Sequence, residues 1–122
     1  MTAVLDASAI LAFLLGEDGA GTVEAALARD ARCGAANWSE LAQKVLSGGR
    51  DWNLVKALLV SYGVRVEPVV DDDAEWAAHR WRRGEGLSLA DRLCLALGER
   101  LDAEVLTADK AWGASGRIVQ IR

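Results

Sequence analysis

The chain reads as an α/β sandwich built on a mostly parallel sheet. Three observations carry that reading: five short apolar runs alternate with longer segments at helical spacing, 52% of the 122 residues are hydrophobic, and no repeat, linker or low-complexity tract interrupts the alternation. That is enough apolar material for one core and too little for two, so a single domain over residues 1–122 is expected.

Ala3 to Leu5 form the first apolar run, ending at Asp6, and Ala9 to Leu15 follow as a buried helix. Gly19-Ala20-Gly21 opens a second helix carrying Val23, Ala26 and Leu27 as far as Arg29, and Ala31 to Ala36 make the second strand. Asn37 is suited to cap the next helix, whose Trp38, Leu41, Ala42, Val45 and Leu46 share one face until Ser47-Gly48-Gly49 stops it. A fourth helix runs from Trp52 to Tyr62. Beyond Gly63, Val64 to Val70 read as the third strand, with Pro68 favouring a sheet edge because it has no N–H for a ladder.

Asp71-Asp72-Asp73 opens a helix through Trp76, Ala77 and Arg80. Three carboxylates there are explained by the positive helix end and by solvation better than by a metal. Gly84-Glu85-Gly86 breaks the helix, and Ser88 caps another from Leu89 to Leu101. Ala103 to Leu106 form the fourth strand, leading into Thr107-Ala108-Asp109, and a short helix and a strand from Arg117 to Ile121 finish the chain.

Composition removes several classes of function. A formal net charge of -4 argues against a general nucleic-acid coat protein, which needs a broad basic surface, but not against a nuclease whose acids hold cations. Cys33 and Cys94 lie in apolar stretches and read as buried thiols. With His79 the only histidine, the ligands of a structural zinc site are lacking. M-T-A-V-L-D shows no basic segment ahead of an apolar one, and the apolar run that follows is too short to span a bilayer, so a soluble cytoplasmic protein without membrane attachment is expected.

Four acids stand at helix starts: Asp6 in V-L-D-A-S-A, Glu40 in N-W-S-E-L-A, Asp91 in L-S-L-A-D-R-L and Asp109 in L-T-A-D-K-A-W. Each has a structural explanation. Asn37-x-x-Glu40 and Ser88-x-x-Asp91 fit capping-box spacing, Asp6 and Asp109 fit N-caps, and Glu40 could pair with Lys44 one turn on. Capping is indifferent, however, to whether acids follow strands that adjoin.

If the first, second and fourth strands are neighbours, Asp6, Glu40 and Asp109 converge to metal-bridging distance at one sheet edge, and the helix carrying Asp91 delivers the fourth. Such a group cannot stay ionised without a counterion. An all-oxygen set suits a hard cation such as Mg²⁺, and the reaction it best supports is phosphodiester hydrolysis by a metal-activated water. Ser8 and Thr107, two residues from Asp6 and Asp109, are placed either to orient a carboxylate or hold a metal water, or simply to bond a local turn.

The order D-A-S-A-I-L-A, S-E-L-A, G-L-S-L-A-D-R-L-C-L-A-L and V-L-T-A-D-K-A-W resembles PIN-domain ribonucleases, and within them the VapC-type toxins of toxin–antitoxin pairs. The resemblance spans the whole chain and is most specific from Gly86 to Trp112. It implies a PIN-like three-layer sandwich with helices on both faces of a five-stranded parallel sheet in the order 3-2-1-4-5, which makes the required strands neighbours. Asp6, Glu40, Asp91 and Asp109 would then be the family's acidic quartet, binding one or two Mg²⁺ ions, with Mn²⁺ able to substitute. The implied reaction is endonucleolytic cleavage of RNA leaving 5′-phosphate and 3′-hydroxyl ends. Thr107 matches the hydroxyl of the family's T-x-D turn and Ser8 that of its D-x-S start. Trp112 stands where many relatives carry phenylalanine, a change expected to affect packing alone. The implied partners are an RNA substrate, a cognate VapB-like antitoxin whose tail covers the acidic cleft, and a second copy in a homodimer.

Arg80, Arg82 and Arg83, with Trp81 among them, precede the loop to Asp91, and Arg92 adjoins that acid. They read either as an RNA clamp, guanidiniums on phosphates and an indole under an unpaired base, or as a solvated helix face with Trp76 and Trp81 packed inward. Trp38 and Trp52 read as core, or as part of a groove for a partner helix. Two other readings are a PIN domain that processes RNA without an antitoxin and a PIN-like module that binds without cutting. Retention of all four acids speaks against the second. A phosphatase with an aspartate nucleophile is disfavoured because Asp6-Ala7-Ser8 lacks the D-x-D start, and no phosphate-binding glycine loop is present.

Overall fold

The computed structural model describes all residues, Met1–Arg122. Five strands, β1 (Thr2–Leu5), β2 (Asp30–Gly34), β3 (Arg65–Glu67), β4 (Glu104–Thr107) and β5 (Ile118–Gln120), form one sheet in the order β3-β2-β1-β4-β5. Every pairing is parallel. The helices are α1 (Ala7–Leu15), α2 (Ala20–Leu27), α3 (Ala35–Ser47), α4 (Trp52–Ser61), α5 (Asp71–Arg80) and α6 (Leu89–Leu101), with a 3-10 turn at Lys110–Trp112. No helix is long and apolar enough to cross a membrane.

The two faces follow from strand alternation. Ala3, Leu5, Ala31, Cys33 and Leu106 enter a core with α1 to α4, while Val4 and Val105 enter a second core with Cys94, Leu95 and Leu97 of α6 and with Trp112. The result is three layers, and β1, buried on both faces, reads as an unbroken apolar run for that reason. Both cysteines are free and buried, and Trp38 and Trp52 pack against the first core as an edge-to-face pair 5.1 Å apart.

Several boundaries differ from the expected ones. The third strand stops at Glu67 instead of Val70, because Pro68 cannot continue the ladder and its carbonyl instead accepts from Arg100 Nη2 at 3.1 Å. β3 does lie at the sheet edge. The second strand ends at Gly34, so α3 starts earlier than Asn37, with Gly34 as its N-cap. Asp73 is not a solvated helix-start acid: only 4% exposed, it receives Arg100 Nε at 3.0 Å and Nη2 at 3.1 Å, and its Oδ2 accepts from the Val70 N–H. That pair fastens the β3–α5 connection to α6.

α6 approaches the sheet closely at Gly98, where an added β-carbon would collide with Val105 Cγ2 and lie 3.3 Å from the Ala103 carbonyl. Gly98→Ala gains helix propensity but overpacks this contact, and a net loss of about 1–2 kcal/mol is expected in denaturant unfolding. An unchanged or raised midpoint would show that α6 shifts freely.

Candidate active site

β1, β2 and β4 are adjacent, and their C-terminal ends open on one edge, where Asp6, Glu40, Asp91 and Asp109 line a cavity of about 230 Å³ together with Ser8, Ser88 and Lys44. All four predicted acids are thus gathered in one place. They form a gradient from Asp6, 5% exposed, through half-buried Glu40 and Asp91 to exposed Asp109.

Capping and gathering turn out to be compatible, since three of the acids use one oxygen for a cap. Asp6 is the N-cap of α1, with Oδ1 accepting from the Ala9 N–H at 2.8 Å. Asp91 Oδ2 accepts from the Ser88 N–H at 3.0 Å while Ser88 Oγ accepts from the Asp91 N–H at 3.1 Å, a complete capping box. Asp109 Oδ1 accepts from the Ala111 N–H at 2.9 Å. Asp91 Oδ1, Asp109 Oδ2 and Glu40 Oε2 keep no hydrogen bond within the protein.

Ser8 and Thr107 lock the most buried acid. Thr107 Oγ1 donates to Asp6 Oδ2 at 2.6 Å and accepts from the Asp109 N–H at 3.0 Å; Ser8 Oγ lies 2.8 Å from Asp6 Oδ1 and accepts from the Ala108 N–H at 2.9 Å. The two hydroxyls thereby tie the β1–α1 junction to the turn after β4. Burial nevertheless pushes the Asp6 carboxyl up to about 6, against these hydrogen bonds, with the negative charge of Asp91 adding to the rise. No basic side chain bonds Asp6.

Three expectations need correction. No three acids are grouped closely enough to clasp an ion between them, although four share the cavity. Like charges repel, and cap bonds hold Asp6, Asp91 and Asp109 to their own helix starts. Asn37 and Glu40 do not make a capping box: both lie inside α3, and Asn37 Nδ2 donates to Glu40 Oε1 at 3.2 Å. Lys44 makes no ion pair with Glu40; it lines the cavity instead, at the seam with a second, apolar groove.

That groove, about 470 Å³, lies between α1, α3 and α4 and is walled by Leu11, Leu14, Val45, Leu54 and Leu58. A groove for a partner helix was expected, as the alternative to core packing, at Trp38 and Trp52; both pack against the first core, and the groove is walled instead by apolar residues whose helical spacing is that of core positions.

The arginines divide. Arg80 is taken by Glu85, with bonds of 2.6 and 3.0 Å, and Arg92 Nη1 donates to the Ala77 carbonyl at 2.7 Å, linking α6 to α5. Arg83 lies over the Trp81 ring, 5.5 Å from its centroid, and Arg82 bonds the His79 and Trp81 carbonyls. Trp81 is half exposed instead of packed inward, whereas Trp76 does pack against the α6-side core.

The donor chemistry, oxygen atoms alone with three of them free on carboxylates, is that of a hard divalent cation, although the side chains as they stand do not enclose one and would have to close in to hold it. Comparison with known proteins bears on the family and the fold. The PIN domain family profile matches residues 3–115. A VapC ribonuclease of Mycobacterium bovis and Ribonuclease VapC42 of Mycobacterium tuberculosis are each 37% identical over 107 residues, covering 79% of this chain and 82% of the relative. A chain from a toxin-antitoxin complex of Klebsiella pneumoniae shares the fold, with TM-score 0.79 at 18% identity and 98% of each chain covered. Cavity, strand order and sequence matches together place this chain in the PIN-domain family, among its VapC-type members.

Proposed function

We propose that this protein is a metal-dependent endoribonuclease, a single PIN domain acting as the toxin of a VapBC-type pair. The observation that carries the reading is the meeting of four acids from the β1–α1 junction, α3, α6 and the turn after β4 in one cavity. A divalent cation, Mg²⁺ or Mn²⁺ and one or two in number, supplies there a lowered pKa for bound water and positive charge for the scissile phosphate. Asp6, fixed by Ser8, Thr107 and the Ala9 N–H, would hold the ion together with the free carboxylate oxygens of Asp91, Asp109 and Glu40. RNA is cut to 5′-phosphate and 3′-hydroxyl ends. Among the basic residues, Arg82, Arg83 and the exposed Trp81 are the better placed to meet RNA, since Arg80 and Arg92 already bond protein groups.

A small antitoxin is the proposed partner, seated in the apolar groove between α1, α3 and α4 and reaching the acidic cavity past Lys44, which borders both. The working assembly is a homodimer in the cytoplasm. Induction of wild type and Asp6→Asn in cells, followed by mapping of new 5′-phosphate RNA ends, tests this. New ends and growth arrest with wild type alone are expected. New ends without growth arrest would indicate a processing nuclease that is not a toxin, and no new ends would indicate a module that binds without cutting.

A further inference from the structure

Asn37 is a fully polar side chain in a place that does not call for one. It is 1% exposed in the first turn of α3, and its Oδ1 is buried without a partner. Its Nδ2 lies 3.2 Å from Glu40 Oε1 and 3.2 Å from the carbonyl of Ala90, the residue before Asp91. Both neighbours are acceptors, so the amide can face only one way; a flip would set oxygen against oxygen. An orphaned buried carbonyl costs more than an apolar side chain of equal volume, so packing alone does not account for Asn37.

Gly34 makes the same point from the other side. As N-cap of α3 it gives no side-chain bond, where serine or asparagine would. A β-carbon there would lie 3.2 Å from Asn37 Oδ1 and 3.5 Å from Leu97 Cδ2, so the missing side chain leaves room for the amide.

We infer that Asn37 is a positioning residue: its amide holds the Glu40 carboxylate to the N-terminal turn of α6, fixing Glu40 relative to Asp91. The inference rests on the proposed metal-dependent reading of the cavity. Holding Glu40 Oε1 by an N–H leaves Oε2 as the oxygen offered to a cation and settles which rotamer offers it. Groups that orient metal-binding carboxylates in this way are generally worth about 10- to 100-fold in metal affinity.

The test is Mn²⁺ binding to the metal-free protein, measured by electron paramagnetic resonance without RNA, for wild type, Asn37→Leu, Glu40→Gln and the double variant. Asn37→Leu keeps the branching, though not the volume, and removes the donor, and Asn37→Ser serves if the bulkier leucine does not fold. The expected result is Mn²⁺ affinity lowered about 10-fold or more by either single change, with the double variant within about 3-fold of Glu40→Gln alone. In RNA cleavage, kcat falls while KM holds. Affinity within about 3-fold of wild type in the folded Asn37 variants, or losses that multiply in the double variant, overturns the inference and leaves the proposed function standing. Wild type that binds no Mn²⁺ overturns both.

Discussion

Asp91→Asn is expected to abolish RNA cleavage, by on the order of 10³-fold or more, without loss of folding. Asparagine still accepts from the Ser88 N–H through its side-chain oxygen, so the capping box at the start of α6 is kept, and stability stays within about 0.5 kcal/mol of wild type. What disappears is a negative charge at the oxygen that bonds nothing in the protein. Urea unfolding and a cleavage assay on the same sample check both halves. Wild-type cleavage would remove Asp91 from the chemistry, while loss of cleavage with loss of structure would leave only its cap.

Asp6→Asn separates function from stability more sharply. Cleavage is lost, yet the metal-free variant is expected to be more stable than wild type at pH 7 to 8. The Asp6 carboxyl is raised from 3.8 to about 6, chiefly by burial, so folding favours its protonated form. Its favourable contribution is full below pH 4 and is lost as the pH climbs to about 6, where the ionised group becomes a burden. A shift of about two units corresponds to an upper value of about 3 kcal/mol, and asparagine, which does not titrate, avoids that cost. The gain should therefore vanish below pH 4 and be complete above pH 6, as read by unfolding in EDTA at several pH values. Added Mg²⁺ should raise wild type and leave the variant unmoved. A variant less stable than wild type at pH 7.5 would mean that the Ser8 and Thr107 hydroxyls hold the carboxylate more firmly than burial disfavours it.

The alternation of strands and helices was legible because strands buried between helical layers must be apolar throughout, as Ala3 to Leu5 and Val105 to Leu106 are. The end of β3 was not, since Val64 to Val70 looks β-forming whether or not Pro68 closes the ladder. The gathering of the four acids in one cavity was legible, because parallel strand order brings together those that follow β1 and β4 and those on α3 and α6. Its spacing was not: side-chain orientation depends on which oxygen each cap takes and on whether a counterion offsets repulsion. Asn37 misled for a related reason. Asparagine before a helical pattern is a good N-cap, and only the tertiary approach of Ala90 shows that its amide faces inward. The pairing of Arg80 with Glu85 across the Gly84 turn was equally hidden, and it takes one guanidinium from the expected RNA-contacting set.

On the proposed function, the four-acid cavity cuts RNA only when it holds a divalent cation. The direct measurement is cleavage of a single-stranded RNA by purified protein, freed of any partner, in Mg²⁺, in Mn²⁺ and in EDTA. The expected result is cleavage to 5′-phosphate ends in either metal, none in EDTA, and recovery when Mg²⁺ is restored. Undiminished cleavage in EDTA would contradict metal dependence.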